Sequence, residues 1–165
     1  MRHLRIFPFV TLLFAVVMLG ASTHSSQAQE ATPTPEIINR TFETLGIVND
    51  LSLAPGLALQ LERYTWLPGV VTEMHTHPGE IDIMYIQSGE IAWSVENGEG
   101  QITRATMDGA PGPSETLTPG AEATLHAGDA VVFDYTSGLL HQGRVVGDAP
   151  AVMLVAYVFD PTKQS

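Results

Sequence analysis

The sequence predicts an all-β protein whose antiparallel strands form a sandwich or barrel in one domain. Short runs alternate between apolar and polar residues, turn-forming residues separate these runs at intervals of roughly ten residues, and helical periodicity is hard to find. The clearest run covers residues 57–66, where Leu57, Leu59 and Leu61 alternate with less apolar residues. A period of two is what a half-buried strand requires.

Eight further runs share this character and are bounded by turn formers such as Pro78-Gly79, Ser88-Gly89 and Asn97-Gly98. The predicted strands are residues 70–77, 81–87, 91–96, 101–106, 123–126, 130–135, 140–146 and 151–159. Residues 107–122 form the one long, turn-rich interruption, which we interpret as a solvated loop, with a lid over a site as the alternative.

The N-terminus is typical of an export signal. Arg2 and Arg5 precede an apolar run at residues 6–20, and a small-residue S-x-A pattern ends at Ala28. The run is shorter than the ~20 residues that span a membrane comfortably. We therefore predict a signal peptide at 1–28, a Pro/Thr linker at 29–36 and a domain at 37–165. The expected location is secreted or periplasmic, with an uncleaved anchor as the alternative.

The net charge and the cysteine content exclude several classes of function. The chain has 7 basic and 18 acidic residues, for a net charge of −11, and every acidic residue lies at or beyond Glu30. Without residues 1–28 the charge falls to −13, with 5 basic residues left. This excludes a nucleic-acid binder, because little basic surface remains to neutralise phosphates, and no membrane partner is expected after cleavage. The absence of cysteine excludes disulfides, thiolate metal ligands and thiol nucleophiles.

A histidine pair is the strongest chemical signal. His75 and His77 are one residue apart on a predicted strand, so both imidazoles face the same side and can share one metal ion. Glu80 and Asp82 follow with the same spacing, and either carboxylate can reach that side. His141 is the candidate third imidazole. Glu73 shares the parity of His75 and is the candidate general base.

Two segments together resemble the motifs of the cupin superfamily. The run from Gly69 to Gly89, with His75, His77 and Asp82 between, resembles the first motif. The run from Gly128-Asp129 to His141 resembles the second. The resemblance covers residues 53–160 and implies a small single-domain cupin, an antiparallel jelly-roll barrel also called a double-stranded β-helix.

The second motif departs from the family pattern in three places. Asp134 replaces the usual proline, the segment before Gly138 is about two residues longer, and Val145 stands where asparagine is common. In the first motif, Asp82 takes the place usually held by glutamate.

The resemblance implies one divalent metal ion, bound by His75, His77, Asp82 and His141, with Glu80 as the rival to Asp82. Three imidazoles and a carboxylate suit Fe, Mn, Ni, Cu or Zn. The expected function is metal binding with a small-molecule ligand or substrate, and a dioxygenase-type oxidoreductase if the protein is an enzyme. The alternatives are a non-catalytic binding or sensing barrel and a structural cupin with a decayed site. Family members often dimerise through their sheets, so a homodimer is possible.

Overall fold

The computed structural model describes residues 39–163, so the predicted signal peptide and the predicted linker lie outside the described part of the chain. The described residues belong to one compact unit with ten strands. These are β1 Arg40–Val48, β2 Ala58–Trp66, β3 Glu80–Ser88, β4 Ile91–Asn97, β5 Gly100–Ala105, β6 Pro111–Leu117, β7 Glu122–Leu125, β8 Ala130–Asp134, β9 Leu140–Val145 and β10 Ala151–Phe159. A single 3-10 turn, Tyr135–Ser137, is the one helical element of residues 39–163.

The strands form two antiparallel sheets. The larger has the order β1-β2-β10-β3-β8-β5-β6, and the smaller has the order β7-β4-β9. Strands that follow one another in the sequence often lie apart in a sheet. For example, β10 lies between β2 and β3 and pairs with both. The all-β, antiparallel jelly-roll prediction is confirmed.

The core consists of side chains from the inner faces of both sheets. Trp93, Phe133, Ile86 and Met153 are fully buried in it. Each large apolar side chain contributes roughly 1.5–3 kcal/mol of burial free energy. On β3, burial alternates strictly from Glu80 to Ile86, so this strand presents both carboxylates to the interior.

Two strands differ from the sequence-based prediction. The loop prediction for 107–122 is wrong over Pro111–Leu117, because these residues pair with β5 as an edge strand. An edge strand tolerates proline because one side needs no hydrogen-bond donors. Strand β1 was not predicted at all: all nine of its residues are exposed, so its side chains show no contrast between a buried and a solvent face.

The predicted strand at 70–77 is also wrong in detail. This segment runs beside β9, but only Val71 and His75 make ladder bridges, to Arg144 and His141. The Thr72 hydroxyl accepts a hydrogen bond from the Gly143 backbone N–H at 2.9 Å, so a side chain replaces part of the backbone ladder. Within residues 39–163, no helix is long and apolar enough to cross a membrane.

Candidate metal centre

Backbone pairing brings two of the three candidate histidines together. The N–H of His75 donates to the carbonyl of His141, and the N–H of His141 donates to the carbonyl of His75, both at 2.9 Å. Residues paired in this way have neighbouring side chains on one face. His77 follows two residues after His75, and its ring centroid lies 4.9 Å from that of His75 and 5.5 Å from that of His141.

The three imidazoles form a cluster in which one nitrogen of each lies within 4.8 Å of the others. Bonds of 2.0–2.1 Å to one ion require ligand atoms no more than about 4.2 Å apart. Three nitrogens on one tetrahedral ion lie about 3.4 Å apart, so the rings of His75, His77 and His141 would move closer by up to about 1.4 Å when an ion binds. His141 is 1% exposed, and His77 has a third of its side chain exposed, so the cluster opens outward on one side.

Burial keeps two of these rings neutral. Burial, with a smaller effect from His75, lowers the pKa of His77 to about 4. Burial, followed by the charges of His75 and His77, lowers the pKa of His141 to about 2. Both imidazoles are therefore unprotonated at neutral pH, which is the form that binds a metal ion.

A backbone carbonyl orients His75. Its Nδ1 lies 2.7 Å from the carbonyl oxygen of Glu73, and because a carbonyl only accepts, Nδ1 carries the proton. This arrangement leaves the lone pair on Nε2 of His75, which is free to bind an ion. Glu73 thus acts on the site through its main chain, and its own carboxylate is exposed.

The two carboxylates of β3 have different environments. Asp82 is 2% exposed, and its Oδ1 is buried without a hydrogen bond of normal geometry from residues 39–163. Burial and the charge of Glu80 raise the pKa of Asp82 well above its usual range. Glu80 is also buried, and its Oε1 lies 3.8 Å from Nδ1 of His77. Neither carboxylate belongs to the three-histidine cluster at the 4.8 Å limit.

Tyr135 is the residue that the sequence-based prediction missed. Its hydroxyl donates a hydrogen bond of 3.1 Å to Oδ2 of Asp82, and the same oxygen lies 3.2 Å from Nε2 of His141. The ring of Tyr135 also packs against His77, with centroids 4.7 Å apart. The available signal was the lengthened segment before Gly138, which contains this residue.

Aromatic rings form the inner wall. Trp93 stacks parallel to His141, with centroids 5.1 Å apart and an interplanar angle of 3°. Phe133 contacts the same imidazole edge-on at 4.9 Å. These rings exclude water from the inner side of the cluster. Trp66 packs with Trp93 in the core, and Tyr64 lies at its margin.

Two surface pockets adjoin the cluster. One, of about 440 Å³, is lined by Arg40, Glu73 and His75 among others. The other, of about 350 Å³, is lined in part by Tyr135. His126 lies elsewhere on the surface, 3.2 Å from a carboxylate oxygen of Glu90.

These features define an antiparallel barrel with a cluster of three histidines. The chain is 29% identical to germin-like protein 8-14 of Oryza sativa over 144 residues, covering 87% of this chain and 54% of that protein. It is 27% identical to germin-like protein subfamily 2 member 1 of Arabidopsis thaliana, covering 74% of this chain and 48% of that protein. The chain thus spans about half the length of these relatives.

Among solved structures, a double-stranded β-helix protein from Klebsiella pneumoniae matches with a TM-score of 0.49 and 19% identity, covering 89% of this chain and 94% of that one. No protein-family model matches the chain. The germin-like relatives, together with the two motifs and the observed fold, support the cupin superfamily predicted from the sequence.

Proposed function

We propose that this protein is an exported, single-domain cupin that binds one divalent metal ion through His75, His77, His141 and Asp82. The observation that carries the proposal is the convergence of three imidazoles beside a buried carboxylate. Two of these imidazoles have lowered pKa values, and Oδ1 of Asp82 has no hydrogen bond of normal geometry from the described residues. Neutral nitrogen donors and a buried carboxylate oxygen fit a divalent ion.

Asp82 is favoured over Glu80 as the fourth ligand. The Tyr135 hydroxyl donates to Oδ2 of Asp82 and lies 3.2 Å from Nε2 of His141, so the Asp82 carboxylate is separated from the cluster by one hydroxyl group. Glu80 lies on the Nδ1 side of His77, at 3.8 Å. In that position we infer that Glu80 is a neighbour of the His77 ring and not a metal ligand.

Three imidazoles and one carboxylate suit Fe, Mn, Ni, Cu or Zn. Four protein ligands leave up to two positions on a six-coordinate ion, whereas they would close a tetrahedral zinc site. When bound, the ion would supply Lewis-acid or redox chemistry at those open positions. We propose a dioxygenase-type oxidoreductase that acts on a small molecule.

The chain's own residues suit such a reaction. Trp93 and Phe133 keep water from the inner side of His141, so a reacting molecule approaches from the exposed side of His75 and His77. The pocket of about 440 Å³ beside His75 contains both Arg40 and Glu73. There Arg40 can orient a polar small molecule, and Glu73 can accept a proton.

A non-catalytic barrel that binds or senses a small ligand is the second candidate. The position of Tyr135 favours this non-catalytic function. Its buried side chain occupies the interior beside Asp82 and His141 and reduces the space for a substrate. Oxygen consumption by metal-loaded protein, measured with small phenols, diketones and hydroxy acids, separates the two. Turnover above the rate of free metal ion supports the enzyme, and ligand binding without turnover supports the barrel.

Elemental analysis of purified protein tests the metal site. We expect about one divalent ion per chain in the wild type and almost none in a His75→Ala/His77→Ala variant, because each imidazole supplies one metal bond. His126→Ala is the matched control, since this histidine lies on the surface away from the cluster. A wild type without stoichiometric metal, or a double variant that retains it, contradicts the proposal.

Export rests on residues 1–28, where the basic start, the apolar run and the S-x-A pattern occur. N-terminal sequencing of protein recovered outside the cytoplasm tests it. The expected mature terminus follows Ala28. An intact Met1 on the exported protein indicates an uncleaved anchor instead.

A further inference from the structure

The lengthened segment of the second motif has a defined structure. It folds as the 3-10 turn Tyr135–Ser137, and Asp134 caps it by accepting hydrogen bonds from the backbone N–H and the hydroxyl of Thr136, at 2.9 and 2.6 Å. Gly138 ends the turn with a φ of 80°, a conformation that favours glycine. The added residues therefore hold the Tyr135 side chain in one place.

That place is between two proposed ligands. The Tyr135 hydroxyl donates to Oδ2 of Asp82 at 3.1 Å, and it lies 3.2 and 3.4 Å from Nε2 and Nδ1 of His141. The two lone-pair directions of an imidazole diverge widely, so an oxygen almost equidistant from both nitrogens lies in line with neither. The hydroxyl thus bonds to Asp82 and leaves the metal-binding direction of His141 open.

We propose that Tyr135 is a positioning residue, which fixes Oδ2 of Asp82 so that Oδ1 faces the metal ion. The inference depends on the proposed metal site. Asp82 is one methylene shorter than the glutamate usual at this position in the family it resembles, and a short carboxylate reaches the ion only from a restricted set of orientations. The Tyr135 hydrogen bond selects one such orientation and uses the oxygen that the ion does not need. Loss of a group that orients a ligand typically weakens metal binding by about 10- to 100-fold.

Tyr135→Phe tests the role, because it removes the hydroxyl and keeps the ring that packs on His77 and His141. We expect Zn²⁺ affinity, measured by competition with a chromophoric chelator at fixed pH, to fall about 10- to 100-fold. Tyr85→Phe is the matched control, because Tyr85 is exposed on the outer face of β3. Affinity within about two-fold of the wild type in Tyr135→Phe overturns the proposal.

A double-variant cycle separates positioning from a general structural role. If Tyr135 acts through Asp82, then adding Tyr135→Phe to Asp82→Asn weakens metal binding little beyond Asp82→Asn alone. Fully additive losses overturn the proposal. Unfolding of the metal-free protein is measured in parallel, and a loss of stability without a loss of affinity also overturns it.

Two further results complete the test. If Tyr135→Phe does not fold, Asp134→Ala loosens the same turn from an exposed cap, and we expect about a three-fold loss of Zn²⁺ affinity. An unchanged affinity in Asp134→Ala then overturns the proposal. In Fe³⁺-loaded protein, a visible charge-transfer band that disappears in Tyr135→Phe would make Tyr135 a ligand and contradict positioning.

The outcomes distinguish this inference from the proposed function. Metal binding that survives His75→Ala/His77→Ala overturns both. Metal binding that requires these histidines but is indifferent to Tyr135→Phe overturns the positioning role alone.

Discussion

Gly143 packs closely against Trp93, the ring that stacks on His141 in the candidate site. A Cβ atom at position 143 would lie 2.5 Å from Cζ3 and 2.8 Å from Cη2 of Trp93. Normal carbon contacts begin near 3.5 Å, so Gly143→Ala requires a displacement of about 1 Å. Trp93 is 1% exposed and stacks on His141, so we expect a displaced indole ring to shift that imidazole as well.

Overpacking of this kind costs about 1–3 kcal/mol, which we expect to lower the Tm by about 4–11 °C. Because His141 shifts with the indole, we also expect Zn²⁺ affinity to fall about ten-fold. Thermal unfolding and chelator competition provide the two measurements. Gly46→Ala is the matched control, because a Cβ there meets nothing within 4 Å. A Gly143→Ala protein with the stability and affinity of the control would refute this reasoning.

Three further predictions concern charge and orientation. Burial acts to raise the pKa of Asp129, but two backbone N–H groups and the Arg104 guanidinium hold it below its usual range, so this carboxylate stabilises the fold above pH ~4. Asp129→Asn should therefore cost about 2–3 kcal/mol in urea unfolding at pH 7, with the difference from the wild type narrowing as the pH falls below about 4. The lowered pKa values of His77 and His141 predict that both rings stay neutral down to pH 5.5 in metal-free protein, so their Cε1–H NMR signals should not titrate between pH 8 and 5.5; a midpoint near 6.5 would contradict the effect of burial. Glu73→Gln should leave Zn²⁺ affinity within about two-fold of wild type, because the backbone carbonyl orients His75, and a ten-fold loss would be the contrary result.

Most of the fold could be predicted from the sequence, because buried and exposed residues alternate along the strands inside the sheets. Strands β3 and β10 show this alternation in their sequences, because each has one face in the core. β1 and β6 lie at the two edges of the large sheet, and their residues are mostly exposed, so no periodic contrast marks them. The prolines of β6 are also typical of a loop sequence, although an edge strand tolerates them.

Part of the candidate site was also predictable, because it depends on residues that are close together in the sequence. The spacing of His75 and His77 is local, and the resemblance to known motifs connected them with His141 across the chain. The position of Tyr135 depends on a cap at Asp134, a left-handed Gly138 and the packing of three rings, which no local spacing encodes. The different environments of Asp82 and Glu80 likewise appear only when neighbouring strands are in place.

The most direct test of the central claim is X-ray absorption spectroscopy of the metal-loaded protein, which counts the imidazoles around the ion. We predict three histidine nitrogens and at least one carboxylate oxygen at about 2.0–2.2 Å, with a total coordination number of five or six. A first shell with fewer than three imidazoles would contradict the site formed by His75, His77 and His141. A closed four-coordinate shell would contradict a catalytic centre and leave a structural ion.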